Sequence, residues 1–338
     1  MPVQEPDWWY RDDLAWQAAL LQPVAAVYGA IAARRIATKT RTRSRLPVIC
    51  VGNFTAGGTG KTPMALALAN LVEREGKEPW FLSRGYGGRL DGQERVDPER
   101  HRAIDVGDEP MLLAQRAPTV IAKDRRLGAE LIERQAPQNA VIILDDGLQN
   151  PALFKDLTLA LVDGRRGVGN GHVIPAGPLR APLGAQFGEA DAVVVMGDQG
   201  ARSIDVIRRF NGPMLSARTV PAGDIEWLRG TPVAAYAGIA NPQRFFESIE
   251  TLGGRIVERR VFKDHHLYSE LDAEDLLKAP ERLTATLVTT AKDHVRLAGV
   301  GPKRDRLAAL SKVLRIEIEF DAGGDATLSQ LVRGAISR

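Results

Sequence analysis

Residues 51–63 read VGNFTAGGTGKTP. The β-branched run LPVICV (residues 46–51) leads into this stretch and a helical pattern at residues 63–75 follows it, so the local order is strand, glycine-rich loop, helix. Glycines let backbone N–H groups approach phosphate oxygens closely, and a helix N-terminus adds the positive end of its dipole. Residues of this kind predict a nucleotide-binding loop formed by Thr55, Ala56, Gly57, Gly58, Thr59, Gly60, Lys61 and Thr62.

Two side chains give this loop its chemistry. Lys61 is placed to reach the β- and γ-phosphates of ATP, and Thr62 to bind Mg²⁺. The general pattern has a glycine five residues before Gly60, whereas this chain has Thr55. A turn that contains GKT by chance is the alternative, and the flanking strand and helix argue against it.

The rest of the chain alternates strand and helix patterns. Continuous apolar runs such as AVIIL (residues 140–144) are typical of strands covered on both faces, and helical stretches such as residues 126–135 lie between them. This order predicts an α/β fold of the P-loop NTPase kind, with a doubly wound, mostly parallel sheet. A smaller α/β domain is expected after it.

Four segments follow from these patterns. Residues 1–45 form an N-terminal helix and basic segment, and residues 46–225 form the nucleotide-binding core. Residues 226–325 form the smaller α/β lid domain and residues 326–338 a C-terminal helix, which could pack on either domain. With 338 residues the chain is too long for one ordinary hydrophobic core.

The first segment carries a long apolar stretch, residues 14–33, preceded by several tryptophans. A basic cluster without acids follows it: Arg34, Arg35, Lys39, Arg41, Arg43 and Arg45. Aromatic and basic flanks are typical of a helix that lies in a membrane interface, and a helix packed on the main domain is the alternative. Gln17, Gln22 and Pro23 argue against a transmembrane span.

Net charge and cysteine content bear on the possible partners and on the redox compartment. The net charge of +3 does not by itself indicate nucleic acid, and we expect no nucleic-acid partner. The chain has one cysteine, Cys50, so no internal disulfide can form and a reducing compartment fits.

Acidic residues supply the next signals. Asp145 and Asp146 directly follow the central strand, where acids can hold Mg²⁺ or its waters beside a phosphate loop. Asp108 and Glu109 precede a helix and could supply a base, although the residues alone favour a helix cap.

Two further clusters are weaker. Asp264-His265-His266 could serve acid–base chemistry, or could be an exposed loop with incidental histidines. Lys292-Asp293 with Arg296 is similar to part of a guanine-reading motif, but its expected asparagine is absent, so GTP specificity is not predicted.

Taken in order, the motifs resemble one family. These are VGNFTAGGTGKTP (51–63), SRGYGG (83–88), GDEP (107–110), LDDGLQN (144–150), GNG with PAGPLR (169–180), FKDHH (262–266) and TTAKDHVRL (289–297). Together they are similar to the tetraacyldisaccharide 4′-kinases over nearly the whole chain. The Thr55 departure is normal for that family, whereas Asn150 and Ala181 stand where it usually has histidine and an acid.

The resemblance implies transfer of the γ-phosphate of ATP to the 4′-hydroxyl of a tetraacylated glucosamine disaccharide 1-phosphate, at the cytoplasmic face of the bacterial inner membrane. It implies that Asp108 and His265 act as a catalytic pair with Lys61, each of the pair contributed by a different domain. It also implies nucleotide and Mg²⁺ contacts on Thr62, Asp145, Asp146 and Gln149, with Glu109 nearby.

This prediction names the lipid A disaccharide precursor and a membrane surface as partners, and no protein partner. A non-enzymatic peripheral membrane protein would explain the N-terminal helix but not Asp108, His265 and the two-domain layout. Two further alternatives bind nucleotide. One is a P-loop GTPase or metallochaperone-type switch, which would need a complete guanine-reading motif. The other is a kinase of a small soluble molecule, which gives no reason for the tryptophan-rich, basic-flanked N-terminal helix.

Overall fold

A computed structural model describes residues 5–11, 15–38 and 40–337 of the chain. Its contacts divide the chain into two compact units. Unit 1 comprises Met1–Arg84, Ala117–Thr219 and Ile318–Arg338, and unit 2 comprises Gly85–Arg116 and Val220–Glu317.

Strands and helices are numbered here along the chain. The strands are β1 (Val48–Asn53), β2 (Glu78–Ser83), β3 (Glu94–Arg95), β4 (Thr119–Ile121), β5 (Ala140–Asp145), β6 (Leu157–Asp163), β7 (Ala192–Met196), β8 (Met214–Ala222), β9 (Pro232–Ala237), β10 (Arg255–Val261), β11 (Thr286–Thr290) and β12 (Lys312–Phe320). The α-helices are α1 (Trp16–Thr38), α2 (Lys61–Arg74), α3 (Ala103–Val106), α4 (Asp108–Ala114), α5 (Arg125–Gln135), α6 (Leu183–Phe187), α7 (Ala201–Arg209), α8 (Pro242–Thr251), α9 (Glu270–Leu283), α10 (Ala291–Leu297), α11 (Pro302–Leu310) and α12 (Gly324–Ile336). Short 3₁₀ helices cover Asp7–Tyr10 and Glu226–Leu228.

Unit 1 is built on a parallel sheet in the order β8-β7-β6-β1-β5-β2-β4. Strands β1, β5, β6 and β7 are buried along their full lengths, as their continuous apolar sequences predict. In the β1–β5 register, Val51 pairs with Asp145, which brings the end of β5 beside the start of the glycine-rich loop. The predicted P-loop-type α/β fold is confirmed.

Every second side chain of the central strands points to the same face of the sheet, and the apolar residues on that face form a core of unit 1. Val48 and Cys50 pack with apolar residues of β2, β5 and α5, while α2 packs against β1, β2 and β5. Cys50 is completely buried, and burial raises the pKa of its thiol to about 11. The cysteine therefore packs as a small hydrophobic residue, as expected from its apolar surroundings.

Unit 2 has its own parallel sheet, in the order β10-β9-β11-β12. Tyr236 of β9 and Tyr268 before α9 are buried edge to face, with ring centroids 5.9 Å apart. Around them pack apolar residues of α9, β11 and α11.

The division differs from the predicted one at residues 318–325, which were predicted in the lid domain and lie in unit 1, and in one longer segment. Residues 85–116, which the sequence analysis placed in the nucleotide-binding core, belong to unit 2, where α3 and α4 pack against α10. The boundary near residue 225 lies close to the junction of Thr219 and Val220. The C-terminal helix α12 packs on α2, β1 and β6 of unit 1.

Helix α1 combines the two alternatives that its sequence left open. One face is buried in unit 1 through Ala18, Ala25, Gly29 and Ile36. The opposite face exposes large apolar side chains: Trp16, Leu20, Val24, Val27, Tyr28 and Ile31. By length and composition α1 is the one described helix that could cross a membrane, although such a helix near an N-terminus is weak evidence for a span.

Candidate functional site

The glycine-rich loop between β1 and α2 has the backbone that phosphate binding requires. Gly57 and Gly60 have φ angles of +98° and +87°, which favour glycine. A Cβ atom on Gly57 would lie 1.7 Å from Oε1 of Glu5, which is the movable end of a side chain, so the positive φ angle and not this contact is what favours glycine there. The hydroxyl oxygen of Thr59 is buried and has no hydrogen-bond partner among the described residues, which suits a ligand oxygen at the loop.

Lys61 opens α2 with its side chain directed at the carboxyl ends of the strands. Its Nζ lies 3.3 Å from Oδ1 of Asn53 and 3.9 Å from Oδ1 of Asp146. Asn53 also donates to the carbonyl of Gly57 at 3.1 Å, so this one side chain supports both the loop and its lysine. Lys61 and Thr62 are buried, with 9% and 2% of their surfaces exposed, which is costly for an ammonium group without an anionic partner.

The Thr55 departure has a structural reason. Thr55 forms an antiparallel bridge with Leu179, and the N–H of Ala56 donates to the carbonyl of Pro178 at 2.8 Å. The start of the loop is thus extended and paired with the PAGPLR segment, where a side chain is tolerated and glycine is not needed.

Asp146 is held by cations on two sides. Nη1 of Arg180 contacts its two carboxylate oxygens at 2.8 and 2.9 Å, and Nε of Arg180 donates to the carbonyl of Thr55 at 3.0 Å. Burial alone would raise the pKa of Asp146, but the charges of Lys61 and Arg180 outweigh it and hold this pKa below its usual range. Asp146 is therefore ionised and joined to the phosphate loop.

Oxygen donors for Mg²⁺ gather at the same edge of the sheet. Asp145 is 1% exposed at the end of β5, and Thr62 is buried at the start of α2. Among the described residues no group of three or more acidic, histidine or cysteine side chains could hold a metal ion. This donor set fits Mg²⁺, which commonly uses one or two carboxylates and completes its octahedron with waters and substrate phosphates.

Two other predicted metal contacts are already hydrogen-bonded. Nε2 of Gln149 donates to the carbonyl of Asn53 and to Oε1 of Gln186, both at 2.7 Å, which leaves its amide oxygen as the group able to face a ligand. Glu109 lies in unit 2, where its carboxylate contacts Nζ of Lys292 at 2.5 Å. Its assignment to Mg²⁺ stays a prediction.

Asp108 and His265 meet within unit 2. Nδ1 of His265 lies 3.0 Å from Oδ2 of Asp108, although 157 positions separate the two residues. Both belong to unit 2, so the pair is not contributed by two different units. The carboxylate is almost fully buried, at 5% exposed, whereas 28% of the imidazole is exposed.

The charges around this pair set its protonation. Burial would raise the pKa of Asp108, but the hydrogen bond from His265 and the charges of Arg296 and Lys292 hold that pKa well below its usual range. The same hydrogen bond to Asp108 raises the pKa of His265 against the effect of burial. The carboxylate therefore stays ionised while the imidazole becomes the favoured place for a proton.

Backbone strain occurs at one residue beside the phosphate loop and at one residue of the Asp108–His265 pair. Asp146 and His265 have φ angles of +56° and +58°, in a region that residues other than glycine rarely adopt. A strained conformation persists where surrounding contacts fix it, and such residues concentrate at functional sites. In His265 the strain accompanies the short contact between its ring and Asp108.

A polar cavity of about 230 Å³ lies in unit 1, beside the end of α1. Its lining residues are Arg35, Lys123, Asp124, Arg125, Asn150 and Ala152. Arg125 is 2% exposed, its Nη1 donates to the carbonyl of Ala122 at 2.5 Å, and its Nε has no hydrogen-bond partner among the described residues. A buried guanidinium with an unused donor indicates a site for an anion.

Sequence reasoning did not assign Arg180, Asn53 or Arg296 to the site. Arg180 closes a glycine- and proline-rich loop of the kind that often forms an active-site wall, and Asn53 ends a strand, but neither pattern indicated the contacts that these side chains make. Arg296 stands four residues after Lys292 on one helix, and this spacing is the signal that could have identified a pair of cations on one face.

Of the basic cluster after α1, three arginines already have acidic partners in unit 1. Arg41 pairs with Glu189, Arg43 with Asp156 and Arg45 with Glu133, at 2.6, 3.0 and 3.0 Å. Arg34 and Arg35 are exposed on the last turns of α1. Lys39 lies outside the described residues. Much of the cluster thus fastens the segment to unit 1.

Comparisons with known proteins agree with the resemblance. The model of the family described as tetraacyldisaccharide-1-P 4′-kinase matches residues 17–335. The chain is 47% identical over 335 residues to the tetraacyldisaccharide 4′-kinase of Methylobacterium sp. (strain 4-46), covering 98% of this chain and 99% of the relative. With that of Rhizobium meliloti (strain 1021) it shares 46% over 319 residues, covering 94% and 90%.

One solved structure is similar along most of the chain. It is LpxK from Aquifex aeolicus in complex with ATP, with a TM-score of 0.75 and 25% identity. The match covers 94% of this chain and 99% of that one.

Proposed function

The chain belongs to the tetraacyldisaccharide-1-P 4′-kinase family, an enzyme family of lipid A biosynthesis, and we propose how its residues divide the reaction. The phosphate loop of unit 1 holds ATP, and the Asp108–His265 pair of unit 2 accepts the proton of the acceptor's 4′-hydroxyl. The contact of Nδ1 with Oδ2 at 3.0 Å carries this proposal, because it joins two titratable groups from distant segments in a buried setting.

On the donor side, the backbone N–H groups of the loop and Nζ of Lys61 bind the phosphates. Phosphoryl transfer depends mainly on positioning and on neutralising charge, and both follow from a rigid loop with a buried ammonium group. Asp145 and Thr62 would hold Mg²⁺, with the amide oxygen of Gln149 at the same edge; when bound, this ion neutralises charge on the phosphate oxygens. Asp146 keeps Lys61 and Arg180 in place through their contacts with its carboxylate.

On the acceptor side, Asp108 and His265 act as one proton acceptor. Nδ1–H of the neutral imidazole donates to the ionised Asp108, and the pair takes up one proton when the hydroxyl attacks. The proton ends on the imidazole, because the pKa of His265 is raised while that of Asp108 is lowered. The buried carboxylate then stabilises the imidazolium.

The cavity beside α1 offers a place for the 1-phosphate of the acceptor. Its three cationic side chains, Arg35, Lys123 and Arg125, match the charge of a phosphomonoester, and the unused Nε of Arg125 supplies a hydrogen-bond donor. Asn150 also lines this cavity. A neutral amide there can donate to a phosphate at any pH, in contrast to the histidine of the usual family motif.

Helix α1 is the part of the chain suited to a membrane surface. Its exposed apolar stripe, from Trp16 to Ile31, faces away from unit 1 and is followed by the exposed Arg34 and Arg35. An apolar face with arginines at one end suits insertion into the interface of an anionic bilayer, where a tetraacylated substrate resides. We place the enzyme at the cytoplasmic face of the bacterial inner membrane, where ATP is available.

The test is an ATP-dependent phosphorylation assay of tetraacyldisaccharide 1-phosphate in mixed micelles. Wild-type protein, Asp108→Asn and His265→Ala are compared, with GTP as an alternative donor and a disaccharide lacking acyl chains as an alternative acceptor. Loss of turnover in both variants with retained ATP binding supports the proposal. Preference for GTP, or equal turnover of the non-acylated acceptor, would support the switch or the soluble-kinase alternative instead.

A further inference from the structure

Arg296, on α10 of unit 2, is almost fully enclosed. Only 2% of its side chain is exposed, and its guanidinium contacts the carboxylate of Asp108 directly. Nε and Nη2 donate to Oδ2 of Asp108 at 3.0 and 2.6 Å. The buried arginine thus shares with His265 the carboxylate oxygen that the proposed proton acceptor uses.

The remaining guanidinium nitrogen is anchored from behind. Nη1 donates to Oδ1 of Asp293 at 2.9 Å and to the carbonyl of Gly238 at 2.7 Å. Asp293 is itself completely buried, and it accepts hydrogen bonds from Tyr268 Oη at 2.8 Å and Thr290 Oγ1 at 2.6 Å. With every member of this network bonded, the guanidinium has no freedom to turn away from Asp108.

Such a network is an expensive way to fill a core. The free-energy cost of removing charges from water largely offsets their mutual attraction, so apolar residues of similar volume often stabilise a core as well. Packing therefore does not explain why Arg296 stands between two buried carboxylates. Fixing the position of Oδ2 of Asp108 does explain it, because two donors of one rigid, planar guanidinium point at this single oxygen.

We propose that Arg296 is a positioning residue for phosphoryl transfer. Its guanidinium, held in place by Asp293, fixes Oδ2 of Asp108, and this carboxylate oxygen in turn aligns Nδ1 of His265. This inference rests on the proposed role of the Asp108–His265 pair. Without Arg296, Oδ2 loses two donors while Oδ1 still accepts from the N–H of Glu109 at 3.0 Å. The carboxylate can then tilt about this bond towards Lys292, the other cation of α10, which contacts Glu109. The imidazole of His265 then loses its alignment, although the side chains of Asp108, His265 and Lys61 all remain.

The experiment compares Arg296→Ala and Arg296→Lys in the full chain with a matched arginine of unit 2. Arg304 serves as that control, because it forms an ion pair with Glu270 at 2.9 Å and does not contact Asp108. For each variant, kcat, the KM values for ATP and acceptor, and the melting temperature are measured. Turnover is measured again with millimolar guanidinium chloride, which can enter the space left by the arginine side chain.

We expect Arg296→Ala to lower kcat by about 10²-fold, with both KM values changed less than about twofold, because only the alignment of reacting groups is lost. Arg296→Lys should recover part of this loss, since an ammonium group can donate to Oδ2 but cannot form the two-nitrogen contact. Guanidinium should raise the turnover of Arg296→Ala and leave that of Asp108→Asn unchanged. Arg304→Ala should keep a wild-type kcat.

Other outcomes would overturn the inference. If guanidinium fails to restore turnover and kcat falls only in proportion to melting temperature, then Arg296 is merely structural. Should Arg296→Ala not fold, a folded Arg296→Lys with wild-type kcat overturns the inference equally. Asp108→Asn distinguishes failure of the proposed pair from failure of the positioning role. If Asp108→Asn keeps its turnover, the proposed Asp108–His265 pair is wrong. If Asp108→Asn loses its turnover while Arg296→Lys keeps a wild-type kcat, only the positioning role of Arg296 is wrong.

Discussion

The phosphate loop of unit 1 and the Asp108–His265 pair of unit 2 act by different means in the proposed reaction. In the proposed reaction the loop binds phosphate through backbone groups of consecutive residues, with positive φ angles at Gly57 and Gly60 as its main requirement. The pair consists of side chains 157 positions apart, aligned by a buried charged network. A backbone site depends on local conformation and tolerates change around it, whereas a side-chain site depends on every neighbour that fixes its geometry.

The largest effect should come from breaking the pair. Asp108→Ala removes the anchor of both His265 and Arg296, so we expect kcat to fall by about 10³–10⁴-fold, the upper range for loss of acid–base catalysis. The ATP dissociation constant, measured by calorimetry, should stay within about twofold of wild type because the donor loop belongs to unit 1. Near-normal turnover of this variant would remove Asp108 from the mechanism.

A change in the loop should affect binding and rate together. Lys61→Ala removes the ammonium group that lies near Asp146 and is placed to bind phosphates. We expect kcat to fall by about 10²–10³-fold, with weaker ATP binding, since this charge acts on both ground state and transition state. A variant with unchanged ATP affinity would show that the loop binds by its backbone alone.

The pH dependence should report on the pair and not on the loop. The pKa of His265 is raised by its hydrogen bond to Asp108, so below this raised pKa the imidazole already carries a proton and cannot accept another. Activity should therefore fall with decreasing pH from a point above the ordinary value of about 6.5, by about tenfold per unit.

Titration of the imidazole by NMR checks the same effect directly. In Asp108→Asn the neutral amide no longer favours the imidazolium, so the pKa of His265 should fall relative to wild type. An unchanged pKa in this variant would contradict the assigned contact, and an acid limit below the ordinary histidine range would contradict the pair as proton acceptor.

The smallest effect concerns neither site but the exposed stripe of α1. Leu20 is 69% exposed, and its replacement by serine removes apolar surface. The lost free energy of transfer into the bilayer is about 1–2 kcal/mol, which weakens binding to anionic vesicles by about five- to thirtyfold. Leu127→Ser on α5, where leucine is 41% exposed, is the matched control and should bind vesicles as wild type does. Equal loss in both, or none in either, would count against α1 as the membrane-binding element.

Several parts of the architecture could be predicted because their signals are local. The apolar run of β5 and the glycines of the loop indicate a buried strand and a phosphate site without reference to any distant residue. Helix α8 begins at Pro242 and ends at Thr251, and its start carries local signals of the same kind, a proline in the first turn and an asparagine cap. Signals of this kind do not depend on how distant parts of the chain pack.

Other parts depended on contacts that no local pattern carries. Residues 85–116 follow the core strand β2 in sequence, yet they pack in unit 2 because Asp108 bonds Arg296 and α4 lies against α10. The residues themselves favoured a helix cap for Asp108, and only the resemblance to a family indicated a catalytic role. In the structure this carboxylate is buried between an imidazole and a guanidinium, and the proposed role rests on that geometry.

The sequence by itself determined the α/β class, the position of the phosphate loop and the family, because these follow from periodicity, glycine placement and ordered motifs within short windows. Only the tertiary structure decided that Asp108 and His265 share one unit, that Arg180 joins Asp146 to the loop, and that α1 buries one face while exposing another. These are long-range pairings of charged and apolar side chains, which depend on how the whole chain packs. Local conformational preferences do not specify them.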